Sequence, residues 1–119
     1  MSSPHALNRA AHSALATVVA SAAFLVPVTV TDTADAAKLR TWNRLAQCES
    51  GQRWHINTGN GYYGGLQISP STWAGYGGRR FARNAHRATR AEQIKVGERI
   101  RRGQGWGAWP HCSRKLGLR

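Results

Sequence analysis

The sequence predicts a small, mainly helical α+β domain with one short hairpin or loop element and one disulfide. Two helix-start signals, Ser69-Pro70 and Thr89-Arg90-Ala91-Glu92, follow a short amphipathic stretch at Lys38–Gln47. The only strand-like chemistry is a turn-dense run from Trp54 to Ser69, with no series of alternating strands around it. Two cysteines, Cys48 and Cys112, bracket most of that material.

The chain opens with a segment that is not expected to fold with the rest. Residues 1–12 are polar with Arg9 as the one strong base, Ala14 to Val30 are apolar, and Ala34-Asp35-Ala36 forms a small-residue site before Ala37. That order is the pattern of a secretory signal peptide over residues 1–36. A membrane anchor is the competing reading, but the run is near the lower limit of the roughly 20 residues a spanning helix needs, and Pro27 interrupts it. Residues 37–40 are then expected to be a short N-terminal segment, 41–113 the folded domain and 114–119 a basic tail.

Within the domain, Thr41 is a candidate N-cap for the first helix, with Trp42, Leu45 and Ala46 as its apolar side and Trp42 expected to be structural. Asn57-Thr58-Gly59-Asn60-Gly61 followed by Tyr62-Tyr63 reads equally as a tight hairpin or an irregular loop. Ser69 is the expected N-cap of a helix with Pro70 in its first turn, ending near Gly75–Gly78. The capping box at Thr89–Glu92 announces the longest helix, to about Arg102, with Ala91, Ile94 and Ile100 as part of its buried face. Gly105 to Cys112 reads as a packed, non-helical tail.

Charge and cysteine content bound the function. The net charge is +12, and all Lys and Arg residues but Arg9 lie after residue 36, where the only acids are Glu49, Glu92 and Glu98. Such a domain adheres to polyanions. In an exported chain two cysteines allow one pairing, so Cys48–Cys112 is the expected disulfide. His55, His86 and His111 show no metal-ligand spacing, and neither a metal nor a cofactor is expected. A nucleic-acid binder is disfavoured by the export signal, the disulfide and the absence of a binding motif. A membrane-lytic peptide is disfavoured because the longest helix has only a small apolar face.

Glu49 is the single carboxylate between Asp35 and Glu92, at the C-terminal end of the first helix. The negative end of the helix and an apolar setting both favour the protonated carboxyl, the state a general acid requires, while the many Arg residues oppose it. Taken alone, a surface or ion-paired Glu is the plainer reading. Around it stand residues suited to sugar: Trp54, Tyr62, Tyr63, Trp73, Trp106 and Trp109 for ring faces, and Asn57, Asn60, Gln67 and Gln104 for hydroxyl and acetamido groups. About half of the Trp residues are expected to serve the core instead.

Five stretches then occur in one order: Cys48-Glu49-Ser50-Gly51, Ile56 through Gln67, Ser71-Thr72-Trp73, Ala88-Thr89-Arg90, and Gln104 through Pro110. Together they resemble the transglycosylase-like domain of the resuscitation-promoting factors of actinobacteria, over about residues 40–113. The resemblance implies a compact lysozyme-like fold, secretion to the cell wall and cleavage of peptidoglycan glycan strands. It implies Glu49 as the catalytic acid, and Tyr62, Gln67, Thr72, Gln104 and Trp109 as groove residues, with Trp54, Asn57 and Trp73 added from their chemistry. The chain departs from the family at Asn43, where an Asp is common, at Gln52-Arg53, where Gly-Asn is usual, and at Arg83-Asn84-Ala85-His86. Glu49 is untouched by these changes.

A two-carboxylate glycosidase has no credible second acid here, since Glu92 belongs to the capping box and Glu98 has Arg neighbours on its helix. The expected chemistry therefore uses Glu49 as acid and then base, with either the sugar's 6-hydroxyl or water as nucleophile. A non-catalytic wall-binding or growth-signalling protein with the same groove is the alternative. Expected partners are glycan strands, anionic wall polymers and other wall hydrolases, with no specific nucleic acid, and the domain is expected to be a monomer.

Overall fold

In the computed structural model, which describes residues 34–119, the first helix among the described residues, α1, runs through residues 34–50. The signal peptide expected over residues 1–36 lies, up to residue 33, outside the described residues. No helix among the described residues is long and apolar enough to cross a membrane. Thr41 is inside α1 rather than at its N-cap. The run Ala34-Asp35-Ala36-Ala37 has no breaker and a high helix propensity, so the helix begins before the hydroxyl residue.

Leu39–Arg119 form one unit. Trp42, Leu45 and Ala46 are buried at helical spacing and supply the α1 side of its core. The helix ends where Gly51 (φ 68°) and Gln52 (φ 58°) take left-handed conformations. Their N–H groups donate to the carbonyls of Gln47 (3.0 Å) and Ala46 (3.1 Å), satisfying the end of the helix.

The turn-dense run contains no strand. Tyr63 forms isolated antiparallel bridges with Asn57 and with Ile68, and Tyr63 and Ile68 exchange two backbone hydrogen bonds of 3.0 Å. It is a folded loop, tied at single residues, as one of the two sequence readings anticipated. Gly65 is required at its inner edge, because a Cβ there would enter the Trp54 ring.

Helix α2, Pro70–Gly75, starts as expected, with the Ser69 side chain accepting from the Thr72 N–H and Pro70 in the first turn. Two 3-10 turns, Gly78–Arg80 and Ala85–Arg87, carry the chain to α3, Arg90–Gln104. Both hydrogen bonds of the Thr89–Glu92 capping box are present. Of the three residues expected on the buried face of α3, Ile100 is buried and Ile94 partly so, Ala91 is exposed, and Gln93, Val96 and Gly97 complete the face. An apolar reading passes over Gln93, yet its amide is fully used. It accepts from the Gly65 N–H (3.0 Å) and donates to the carbonyls of Trp54 (2.8 Å) and Ala88 (3.0 Å).

The tail is not irregular. A 3-10 turn, Trp106–Ala108, leads into α4, Pro110–Lys115, with Pro110 in its first turn. Leu116 and Leu118 pack against the core beyond it. Trp42 meets Trp106 and Trp109 at centroid distances of 5.1 and 5.5 Å, fastening α1 to this segment. The Cys48–Cys112 disulfide (Cα–Cα 5.8 Å) repeats that fastening covalently across 64 residues of sequence. A loop of that length stabilises by on the order of 4 kcal/mol in the chain-entropy description.

Candidate active site

The last turn of α1 presents Glu49 between Cys48 and the buried Ser50. Ser50 Oγ donates to the Gly65 carbonyl (2.9 Å) and accepts from the Arg53 N–H (3.1 Å), so the backbone beside Glu49 is tied to the central loop. Glu49 is half-buried, and desolvation pushes its pKa above the ordinary carboxylate value. No guanidinium pairs with it among the described residues. Of the two opposing influences, burial prevails over the surrounding Arg charge.

Glu49 lines a groove of about 270 Å³ with Tyr62, Gln67, Ala108, Trp109, Pro110 and His111. Tyr62, Gln67, Ala108 and Trp109 also border a narrower recess of about 70 Å³, reached past them and walled by Ser69, Thr72 and Gln104 over Ile68 and Ile100. The walls are held from behind. Trp109 is buried and its Nε1 donates to the Leu66 carbonyl (2.8 Å). Gln67 sits at φ 53°, an uncommon conformation for a residue with a side chain. Its Nε2 donates to the Gly64 carbonyl (3.1 Å), and its Oε1 accepts from Asn60 (3.2 Å). Thr72 Oγ1 accepts from Ser69 (3.0 Å) at the head of α2. Tyr62 is 51% exposed, which leaves its ring available at the rim.

Six of the sequence-selected residues are thus gathered along one groove: Glu49, Tyr62, Gln67, Thr72, Gln104 and Trp109. Three others lie elsewhere. Trp73 is completely buried, with its Nε1 donating to the Ala82 carbonyl (2.8 Å). Trp54 packs against Gly65 and carries the Arg90 guanidinium 5.7 Å from its ring centroid. Asn57 turns its side chain to the Gly59 N–H (3.2 Å). Trp106 likewise faces an Arg, with Arg101 at 5.0 Å.

Ser69, Ala108, Pro110 and His111 join the groove without having been selected from sequence. For His111 the signal is the disulfide itself: once Cys48 and Cys112 are paired, the residues flanking them are brought side by side. The two glutamates of α3 are occupied away from the groove. Glu98 accepts from Trp42 Nε1 (2.5 Å) and faces Arg102 (3.9 Å), and Glu92 closes the capping box. Among the described residues no three His, Cys, Asp or Glu side chains are grouped to hold a metal ion.

Residues 36–112 match the family described as Transglycosylase-like domain. The chain is 66% identical over 85 residues to Resuscitation-promoting factor Rpf1 of Corynebacterium glutamicum, covering 71% of this chain and 44% of that protein. It is 55% identical over 85 residues to Resuscitation-promoting factor Rpf of Micrococcus luteus, covering 71% and 37% respectively. With Resuscitation-promoting factor RpfA of Mycobacterium tuberculosis it shares 57% identity over 83 residues, covering 70% and 20%. The chain therefore spans less than half the length of these relatives. With well over half of its residues, 36–112 of 119, inside the matched region, the chain belongs to the transglycosylase-like domain family.

Proposed function

We propose that this chain is an exported enzyme that cleaves the glycan strand of peptidoglycan between N-acetylmuramic acid and N-acetylglucosamine. The observation that carries the reading is the half-buried Glu49, the one acid of a groove that also presents Tyr62, Gln67, Trp109 and His111 and continues to Thr72 and Gln104. Its raised pKa favours the carboxylic acid, which donates its proton to the glycosidic oxygen as the C1–O bond breaks. The resulting carboxylate then takes the proton of the 6-hydroxyl of the same muramyl residue as O6 bonds to C1. The product is a 1,6-anhydro end, Glu49 is protonated again, and no water is consumed. Tyr62 and Trp109 border the sugar rings, while Gln67, Thr72 and Gln104 offer hydrogen bonds to hydroxyl and acetamido groups.

Among the described residues Glu49 is the one acid lining the groove, which favours the internal 6-hydroxyl over the two-carboxylate hydrolytic scheme. Glu49→Gln keeps the shape and removes the proton. Purified cell walls incubated with wild type should release soluble muropeptides whose masses carry the anhydro loss of water, and the variant should release none while still binding the walls. Hydrolytic ends from wild type would replace the 6-hydroxyl by water. Wild-type-level release by the variant would sink the role of Glu49, and binding without turnover by wild type would favour a wall-binding protein.

A further inference from the structure

A second cleft, of about 430 Å³, lies against the side of α1 away from Glu49, lined by Arg40, Asn43, Arg44, Gln47, Gln52 and Leu116. Successive residues of a helix turn by about 100°, so Arg40, Arg44 and Gln47 project roughly opposite to Glu49. Arg40 and Arg44 are exposed, one turn apart, and neither guanidinium has an ion pair or hydrogen bond among the described residues. Asn43 Oδ1 accepts from the Arg90 guanidinium, which brings a third cation to the edge. Gln52 reaches the cleft from a left-handed backbone (φ 58°), a conformation that glycine adopts at lower cost. Leu116 supplies an apolar patch, extended by the aliphatic stems of the Arg side chains.

The geometry points to a binding site for an acidic peptide with small apolar side chains, of the kind that branches from peptidoglycan and cross-links its strands. Guanidiniums pair with its carboxylates, side-chain amides of Gln47 and Gln52 with its backbone, and Leu116 with alanine methyl groups. A bare phosphodiester polymer would use the cations and leave the amides and Leu116 without a role. Because the cleft faces away from the groove, the peptide belongs to a neighbouring strand, and the protein is held on one strand while it acts on another. The inference rests on the proposed peptidoglycan substrate.

The test is a chemical-shift titration of the protein with a glycan-free stem tetrapeptide containing alanine and glutamate. Shifts are expected at Arg40, Arg44, Gln47, Gln52 and Leu116. Arg40→Gln/Arg44→Gln should weaken binding at least about tenfold, as loss of about 1.4 kcal/mol or more does. Arg79→Gln/Arg83→Gln removes the same charge from another cleft of about 410 Å³ lined by those two residues, and should change binding by less than about twofold. Equal losses from the two pairs would reduce the effect to diffuse charge and overturn the site. Equally tight binding of a glycerol-phosphate polymer to the same residues would overturn the ligand class. Binding is read without cleavage, so a wild type that binds the peptide yet cuts no glycan supports the cleft and counts against the proposed activity.

Discussion

Glu49 and His111 face the same groove because the cysteines beside them are bonded to each other. Cys48 precedes Glu49, Cys112 follows His111, and their Cα atoms are 5.8 Å apart. The acid stands on the last turn of α1 and the imidazole on the first turn of α4, so the groove floor is a seam between two elements far apart in sequence. Trp42, stacked against Trp106 and Trp109, holds the same seam by packing.

Stability and activity should therefore separate when the bridge is removed. Cys48→Ala/Cys112→Ala is expected to lose about 2–4 kcal/mol of unfolding free energy, measured by denaturant titration, with the Trp cluster keeping the fold. Muropeptide release per folded molecule should fall as well, since the seam carries the acid. Unchanged release by the folded variant would show that packing alone sets the groove.

The pH dependence follows from Glu49. Its folded pKa is raised by desolvation, so the folded state keeps this proton at pH values where the unfolded chain has lost it. Its contribution to stability is therefore most favourable below the ordinary carboxylate pKa and diminishes as pH rises above it. Glu49→Gln, which never ionises, should be more stable than wild type near neutral pH, with the gap closing as the pH is lowered through the carboxylate range. Thermal unfolding across that range checks the sign. The rate of glycan cleavage should fall as pH rises through the raised pKa, because in the proposed mechanism the protonated acid starts the reaction.

What could be read in the sequence and what could not follow a physical division. Ser69-Pro70 and the Thr89–Glu92 capping box act within one helical turn, and both starts stand where the chemistry places them. The end of α1 at Gly51 was legible for the same reason, whereas the Cys48–Cys112 bridge, 64 residues apart, was legible only because two cysteines allow a single pairing. Thr41 misled because its hydroxyl is only one of several influences, and the upstream alanines extend the helix past it. The tail misled because Pro110 is compatible with both a coil and a helix first turn, and the decision is made by Cys112 and Ser113 being buried. In the groove, Tyr62, Gln67, Thr72, Gln104 and Trp109 came from the family pattern. Trp73 came from chemistry alone, and an indole serves a core as well as a sugar ring.

Gln93 tests the interior of α3. Its side chain is fully buried and serves one backbone donor and two backbone acceptors. Gln93→Leu keeps the volume and leaves the Gly65 N–H and the Trp54 and Ala88 carbonyls short of a partner. A loss of roughly 2–4 kcal/mol is expected, at about 1–3 kcal/mol for each group left buried and unsatisfied, with partial relief by solvent. Ala91→Ser, at an exposed position of the same helix, should stay within about 0.5 kcal/mol. Chemical denaturation of the two variants makes the comparison, and similar small losses would mean that the loop finds other partners.

Gln52 is a position where stability and ligand binding are expected to oppose each other. A residue with a Cβ in the left-handed region costs roughly 1–2 kcal/mol, and glycine removes that cost while adding freedom to the unfolded chain. Gln52 holds φ 58° directly after Gly51 at φ 68°, where the family pattern usually has a second glycine. Gln52→Gly should therefore stabilise the fold by about 0.5–1 kcal/mol, read as a higher denaturation midpoint at unchanged slope. The Gln52 N–H bond to the Ala46 carbonyl is a backbone bond and survives the change. If the side chain were retained only by chance, the variant would gain stability and keep its affinity for the stem peptide. The amide at the rim of the second cleft instead predicts weaker peptide binding in the more stable protein. A variant that is less stable than wild type would show that the glutamine stem makes contacts outweighing the backbone strain.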